Sequence, residues 1–227
     1  MLTDIRWLAL EVKYLDRARE FYTDHLYVTV TEADEKEVVL DAGGPGDGPD
    51  LILRRPTGVP RGGVHTHYAL SVPATEYDRW RSGLSESFDL YEHDFGGMGS
   101  LYVYDPDGHC VELAGRNVAG PGIDGIFEVV LEVADLDRAR GFYRDLGFEV
   151  VDSQSERIRL TGPMDLELWE PRLGIADGRG GVHVDLGFGA EDVEQAVASV
   201  EDRAGSIERL DRGVRVRDPD GHALTFL

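Results

Sequence analysis

The chain has 227 residues, 44 acidic and 23 basic, for a formal net charge of −21, and only Lys13 and Lys36 among its basic residues are lysines. A surface this acidic repels nucleic acid and anionic membrane, and no apolar run is long enough to cross a bilayer, so neither is an expected partner. Cys110 is the single cysteine, which excludes an intrachain disulfide and fits a reducing cytoplasm; the opening MLTDIRWLAL lacks the basic start and apolar stretch of a secretory signal.

In chain order, Leu8–Val12 alternates as a strand, with Leu8, Leu10 and Val12 on one face and Trp7, Ala9 and Glu11 on the other. A helix follows, with Asp16 as its expected N-cap and Ala18, Phe21 and Tyr22 as its apolar stripe. Short strands are predicted near 37–41 and 50–54. A second round gives a strand at 67–72, a helix at about 75–84, and strands around 101–104 and 110–114 joined by a turn at Asp105–Gly108. The segment GRNVAGPGIDG (115–125) reads as a linker. The scheme then recurs at 127–133, 137–145, 157–160, 165–169, 182–188, 191–203, 213–217 and 223–227.

The recurrence extends to the residues themselves. LALEVKYLDRAREFYTDHLYVTV (8–30) matches VVLEVADLDRARGFYRDLGFEVV (129–151) at one constant offset from Leu10/Leu131 to Val30/Val151. GGVH recurs at 62–65 and 180–183, and DPDGH at 105–109 and 218–222. This is a duplicated module, 1–118 and 122–227, and where one copy has lost a chemical side chain that the other keeps, a site is indicated. Each module divides again, giving four βαβββ units. The expected fold class is α+β, with two curved mixed β-sheets forming cups and helices outside.

The V-x-x-LDRAR-x-FY opening, the GGVH strand and the DPDGHCVEL ending resemble the vicinal oxygen chelate superfamily, over essentially the whole chain. That superfamily includes glyoxalase I, extradiol dioxygenases, and bleomycin- and fosfomycin-resistance proteins. The resemblance implies metal ligands on the first and fourth strands of two facing units. Carried over, these positions fall on Trp7 and Ile52, on His67 and Glu112, on Glu128 and Glu167, and on His183 and Thr225. If the second unit faces the third, as in glyoxalase I, one cup holds His67, Glu112, Glu128 and Glu167 and the other is vacated. If each module closes on itself, as in the dioxygenases, neither cup holds a family set. The complementary losses favour the crossed pairing.

A second resemblance points to the dioxygenases: His93, Tyr102 and Glu112 stand at the spacing of the extradiol signature, with Tyr91 as the departure. There the matching His and Tyr lie beside the metal and act on substrate and oxygen. Those enzymes need Fe(II) held by two His and one carboxylate, and a second histidine is lacking here unless His65 serves. Plainer readings stand beside these. His67 shares a strand face with Ala69 and Ser71, where a histidine can simply meet solvent. In so acidic a chain Glu128 and Glu167 can arise by chance, and Arg157, Arg159, Arg215 and Arg217 can pair with carboxylates instead of holding an anionic substrate. The chain's acidity is similar to that of proteins from salt-loving organisms.

One His with two or three carboxylates suits Zn, Ni, Mn or Co. The resemblance then implies a Lewis-acid enzyme acting on a 2-oxoaldehyde–thiol adduct or a similar small molecule, with Glu112 or Glu128 as general base. Three carboxylates at one empty site are expected to raise one another's pKa. The alternatives are an Fe(II) dioxygenase using His93 and Tyr102, and a metal-free ligand-binding protein whose cup stacks an aromatic guest on Trp7, Trp169, Tyr102 or Tyr104. A monomer or a homodimer fits, since one chain already supplies four units.

Overall fold

The structure is a computed structural model that describes residues 1–44, 48–56, 65–171 and 183–227, apart from the side chains of residues 183 and 184. The GGV portions of both GGVH repeats lie outside the described residues.

The first unit comprises β1 (Leu2–Glu11), α1 (Leu15–Glu20), β2 (Thr29–Ala33), β3 (Glu37–Asp41) and β4 (Asp50–Arg54). The second comprises β5 (His65–Pro73), α2 (Tyr77–Ser85), β6 (Tyr91–Asp94), β7 (Gly99–Tyr104) and β8 (Cys110–Arg116). The third comprises β9 (Ile126–Glu132), α3 (Leu136–Asp145), β10 (Glu149–Ser153), β11 (Arg157–Thr161) and β12 (Asp165–Trp169). The fourth comprises β13 (His183–Ala190), α4 (Val193–Val200), β14 (Ser206–Arg209), β15 (Val214–Arg217) and β16 (Ala223–Phe226). The four βαβββ units of an α+β fold are therefore present.

The units pair across the duplication. One eight-stranded sheet runs β14-β15-β16-β13-β1-β4-β3-β2 and the other β10-β11-β12-β9-β5-β8-β7-β6. β1 meets β13, and β5 meets β9, both antiparallel. This is the crossed arrangement that the complementary losses favoured. On each strand alternate residues turn toward the helices: Leu8, Leu10, Tyr68, Leu70, Val129, Leu131, Leu166 and Leu168 are fully or almost fully buried there.

The repeated motifs tie the two sheets to each other. In DPDGH, Asp105 Oδ1 accepts the backbone N–H of Asp107 and His109, and Asp218 Oδ1 accepts those of Asp220 and His222. Gly108 and Gly221 take the left-handed conformation that such a turn requires, φ +89° and +92°. The motif is thus a turn, as expected, and it is also a clamp. His109 Nε2–H donates to the Glu11 carbonyl and His222 Nε2–H to the Glu132 carbonyl, each at 2.8 Å. Tyr22 and Tyr143, the tyrosines of the FY pairs, donate to Asp105 (3.1 Å) and Asp218 (3.0 Å). Strand 1 and the helix of one sheet are thereby fastened to a turn of the other.

Two expectations need correction. Asp16 is not the N-cap of α1; that position is Tyr14, whose side chain makes no cap. Its counterpart Asp135 does cap α3, accepting from Arg138 N–H, and Asp16 lies in the first turn, where it favours the helix dipole. The offset between copies also changes. Phe21–His25 forms a π-helical turn, and the closing bond runs Val28 N–H to Tyr22 O in the first copy but Phe148 N–H to Tyr143 O in the second. One extra residue is absorbed there, so Leu26 matches Leu146 and Val30 matches Val150. Tyr27 (φ +56°) then occupies the left-handed position that Gly147 (φ +103°) fills in the other copy.

Candidate metal centre

The strand register brings the chemical residues together. β5 runs parallel to β8 with Ala69 opposite Glu112, and antiparallel to β9 with Ala69 opposite Glu128 and His67 opposite Val130. β12 lies beyond β9 with Asp165 opposite Glu128 and Glu167 opposite Val130. His67, Glu112, Glu128 and Glu167 consequently project from one face, opposite the side chains of Tyr68, Val111, Val129 and Leu166 that enter the core.

Three of them form a cluster. His67 Nε2 is 3.1 Å from Glu112 Oε2 and 3.9 Å from Glu128 Oε1. One donor atom from each of His67, Glu112 and Glu128 lies within 4.8 Å of the others. Both carboxylates are buried and the imidazole is half-buried. The donor set fits a divalent cation: one nitrogen and two carboxylate oxygens converge.

Glu167 is not in that cluster. Its carboxylate accepts from Trp169 Nε1 (2.8 Å) and Arg157 Nη1 (3.2 Å). Arg159 lies 3.0 Å from Glu128, 2.9 Å from Asp165 and 3.9 Å from Glu167. The β11 arginines therefore pair with carboxylates, and they partly neutralise the cup.

The cluster's protonation follows from these contacts. Burial works against a charged His67, but hydrogen bonding and charge from Glu112 and Glu128 outweigh it and push the imidazole up to about 9. Burial opposes ionisation of Glu112, yet the His67 partnership holds its carboxyl below the ordinary value. Burial and the Glu128 charge push Glu167 up against the opposing pull of Trp169 and the arginines. The expected mutual raising of carboxylates is thus met at Glu167 and reversed at Glu112, because an imidazolium intervenes.

Tyr102 stands opposite Glu112 on β7, and its ring meets the His67 imidazole edge-on at 5.5 Å. Burial and then the Glu112 charge raise its phenol. His93 is on β6 opposite Ser100, exposed, with its ring against Phe95 at 4.3 Å. The structure thus brings Tyr102, not His93, to the cluster. A register shift between His65 and His67 turns His65 away, so it stacks on His109 (5.5 Å, 7°) and supplies no second histidine here.

In the other sheet the same positions hold Trp7, Ile52, Asp185 and Thr225. Asp185 pairs with Ala9 as His67 pairs with Val130, and Thr225 with Gly187 as Glu112 with Ala69. The fourth-unit position assigned to His183 therefore belongs to Asp185, while the side chain of His183 lies outside the described residues. The GGVH match of His65 to His183 contained that answer, since it carries His67 onto Asp185. Asp185 is buried, accepts from Thr225 Oγ1 and lies 3.6 Å from Arg215.

A family profile described as bleomycin resistance protein-like N-terminal matches residues 126–157. A glyoxalase 1 of Caenorhabditis elegans is 25% identical, over 95% of this chain and 85% of its own. Among solved structures, glyoxalase I from Zea mays aligns with a TM-score of 0.73 at 20% identity, covering 98% of this chain and 91% of its own. A candidate dioxygenase from Bacillus subtilis aligns with a TM-score of 0.77 at 15% identity, covering 99% and 84%. Among the described residues no helix is long and apolar enough to cross a membrane.

Proposed function

We propose that this chain, a two-module member of the vicinal oxygen chelate superfamily, is a divalent-metal-dependent enzyme that chelates a small substrate through adjacent oxygens, with a glyoxalase-type isomerase or lyase activity. The observation that carries this reading is the one-histidine, two-carboxylate cluster of His67, Glu112 and Glu128 in the sheet built by crossed pairing. Its chemistry suits Zn, Ni, Mn or Co more than an oxygen-activating iron. When bound, such a metal supplies Lewis acidity toward the substrate's two oxygens.

The protein's own residues then divide the work. Glu112, at 3.1 Å from His67, is the more firmly seated carboxylate. Glu128, at 3.9 Å, is the better placed to leave the cluster and take the proton from the carbon beside a carbonyl. Arg159, 3.0 Å from its other oxygen, holds Glu128 in reach while it does so. Tyr102 walls the cup beside His67 and, kept protonated, donates its hydroxyl hydrogen to a substrate oxygen. Glu167 is the fourth candidate ligand and would join by releasing Arg157.

The placement of Tyr102 beside His67 and opposite Glu112 also favours a second reading, an extradiol dioxygenase with Fe(II), in which His93 would have to swing inward from the sheet edge. The test is metal content joined to activity. Protein purified without chelator is analysed for metal, then assayed for thioester formation from a methylglyoxal–thiol adduct and for ring opening of catechol. Non-iron metal with thioester formation, both lost in Glu128→Ala, supports the first reading. Iron with ring opening supports the second. Absence of bound metal after reconstitution sinks both and leaves a ligand-binding protein.

A further inference from the structure

The second cup has lost the ligand set but has not been filled. A cavity of about 620 Å³ remains on the sheet of β1, β4, β13 and β16, lined in part by Trp7, Arg54, Asp185, Arg212, Arg215 and Thr225. Close packing would be served by large apolar side chains filling a disused cup. Here the replacements change the sign of the cup instead. Where the metal cup has Glu112 facing Tyr102, this one has Thr225 facing Arg215. Where it has Glu128, this one has Trp7.

Four arginines line the cavity, Arg6, Arg54, Arg212 and Arg215, against two carboxylates, Asp50 and Asp185. In a chain with 44 acidic and 23 basic residues that local excess runs against the composition. Asp185 is already occupied: Thr225 donates to it, Arg215 lies 3.6 Å away, and Arg54 adds its charge. Arg6 pairs with Asp4, Arg54 with Glu37 and Arg215 with Glu208 at its exposed end (3.4 Å), whereas Arg212 has no ion pair among the described residues. In the wall Arg215 Nε has no acceptor among the described residues, and the Trp7 indole N–H is turned toward the same Asp185 carboxylate without a well-formed hydrogen bond. Guanidinium groups present several N–H donors in a planar fork that matches a carboxylate.

Trp7 supplies a flat wall. A Cβ at Gly187 would fall 2.2 Å from its ring, so the indole lies directly on bare backbone and needs glycine beneath it. Indole faces and guanidinium planes both accept an aromatic ring.

We propose that the second cup is a metal-independent binding site for a small aromatic carboxylate, its anionic group held by Arg212 and Arg215 and its ring laid along Trp7. The acidic exterior makes nonspecific anion binding unfavourable, which sharpens the test.

The test is calorimetric titration of the purified chain with 2-naphthoate and with the neutral 2-naphthamide. Saturable binding of one naphthoate per chain is expected, with the amide at least about tenfold weaker. Arg212→Gln, on the rim, and Trp7→Leu each weaken naphthoate by about tenfold, and His67→Gln leaves it unchanged. The indole N–H resonance of Trp7, assigned from its loss in Trp7→Phe, shifts on titration. Absence of saturable binding, equal binding of the amide, indifference to Arg212→Gln, or loss of binding in His67→Gln would each overturn the proposal; the last would place the anion on the metal instead.

Discussion

If His67, Glu112 and Glu128 hold a divalent metal, the affinity for that metal must depend steeply on pH over a range that the cluster itself dictates. In the metal-free cup the imidazole is pushed up to about 9 and Glu112 is held below its ordinary value, so the pair is charged at neutrality. A metal that takes His67 Nε2 must displace this proton. Below about pH 9 the apparent affinity therefore changes about tenfold per pH unit, or about hundredfold between pH 8 and pH 6. An imidazole at its ordinary 6.5 would give only about fourfold over the same interval. Competition between the protein and a chromophoric chelator for Zn²⁺, corrected for the chelator's own protonation, reads the slope directly. A change near fourfold would refute the imidazolium–carboxylate cluster. The metal-free protein should show the linked effect on stability. The raised His67 pKa contributes stability fully present below 6.5 and lost as pH rises through about 9. The depressed Glu112 contributes stability present above 4.5 and lost as pH falls through its folded value. Metal-free protein should thus melt lower at pH 9 than at pH 6.

Three further outcomes follow from particular contacts. Arg159→Met frees Glu128 from a guanidinium 3.0 Å away and should tighten metal binding several-fold in the same competition assay; weaker binding would mean that the arginine positions the ligand. Tyr22→Phe should lower stability by about 1–3 kcal/mol in urea denaturation, and more than Tyr143→Phe, because the buried Tyr22 hydroxyl serves both Tyr68 (2.7 Å) and Asp105 (3.1 Å); equal small losses would show that the clamp contributes little. Tyr27→Gly should stabilise by about 1 kcal/mol, since the residue is 71% exposed and its backbone is left-handed; a loss would show that its ring contact with Trp80 outweighs the strain.

The duplication was the most legible feature of the sequence, because repeated LDRAR-x-FY and DPDGH segments serve the same clamp twice. The crossed pairing is legible through the resemblance: of the ligand positions it implies, the second and third units together supply a full family set, His67, Glu112, Glu128 and Glu167. Strand positions in the ladders were less accessible. β6 and β14 are exposed along their whole length, and β2 and β10 almost so, so they carry no alternating pattern from which their positions can be predicted. A one-residue insertion likewise leaves identical letters at Val30 and Val151 while the π-helical turn moves the true match to Val150.

Within the site, the resemblance carried onto strand positions points to His67, Glu112, Glu128 and Glu167, but residue order does not specify that Arg157 holds Glu167 or that His93 stays at an exposed edge. Those outcomes depend on which cations reach across from the neighbouring strand, and side-chain reach is not written in periodicity. In the fourth unit the GGVH repeat aligns His183 with His65 whereas the strand pattern aligns it with His67, and the ladder opposite Ala9 and Leu10 decides for Asp185.

The most direct test of the central claim is a Co²⁺ titration followed by visible absorption, comparing the unaltered chain with Glu128→Ala and with Asp185→Asn. The account predicts one tight equivalent per chain, abolished or strongly weakened by Glu128→Ala and unaffected by Asp185→Asn. Two equivalents, or one that survives Glu128→Ala and disappears with Asp185→Asn, would contradict a single metal centre in the cup of β5, β8 and β9.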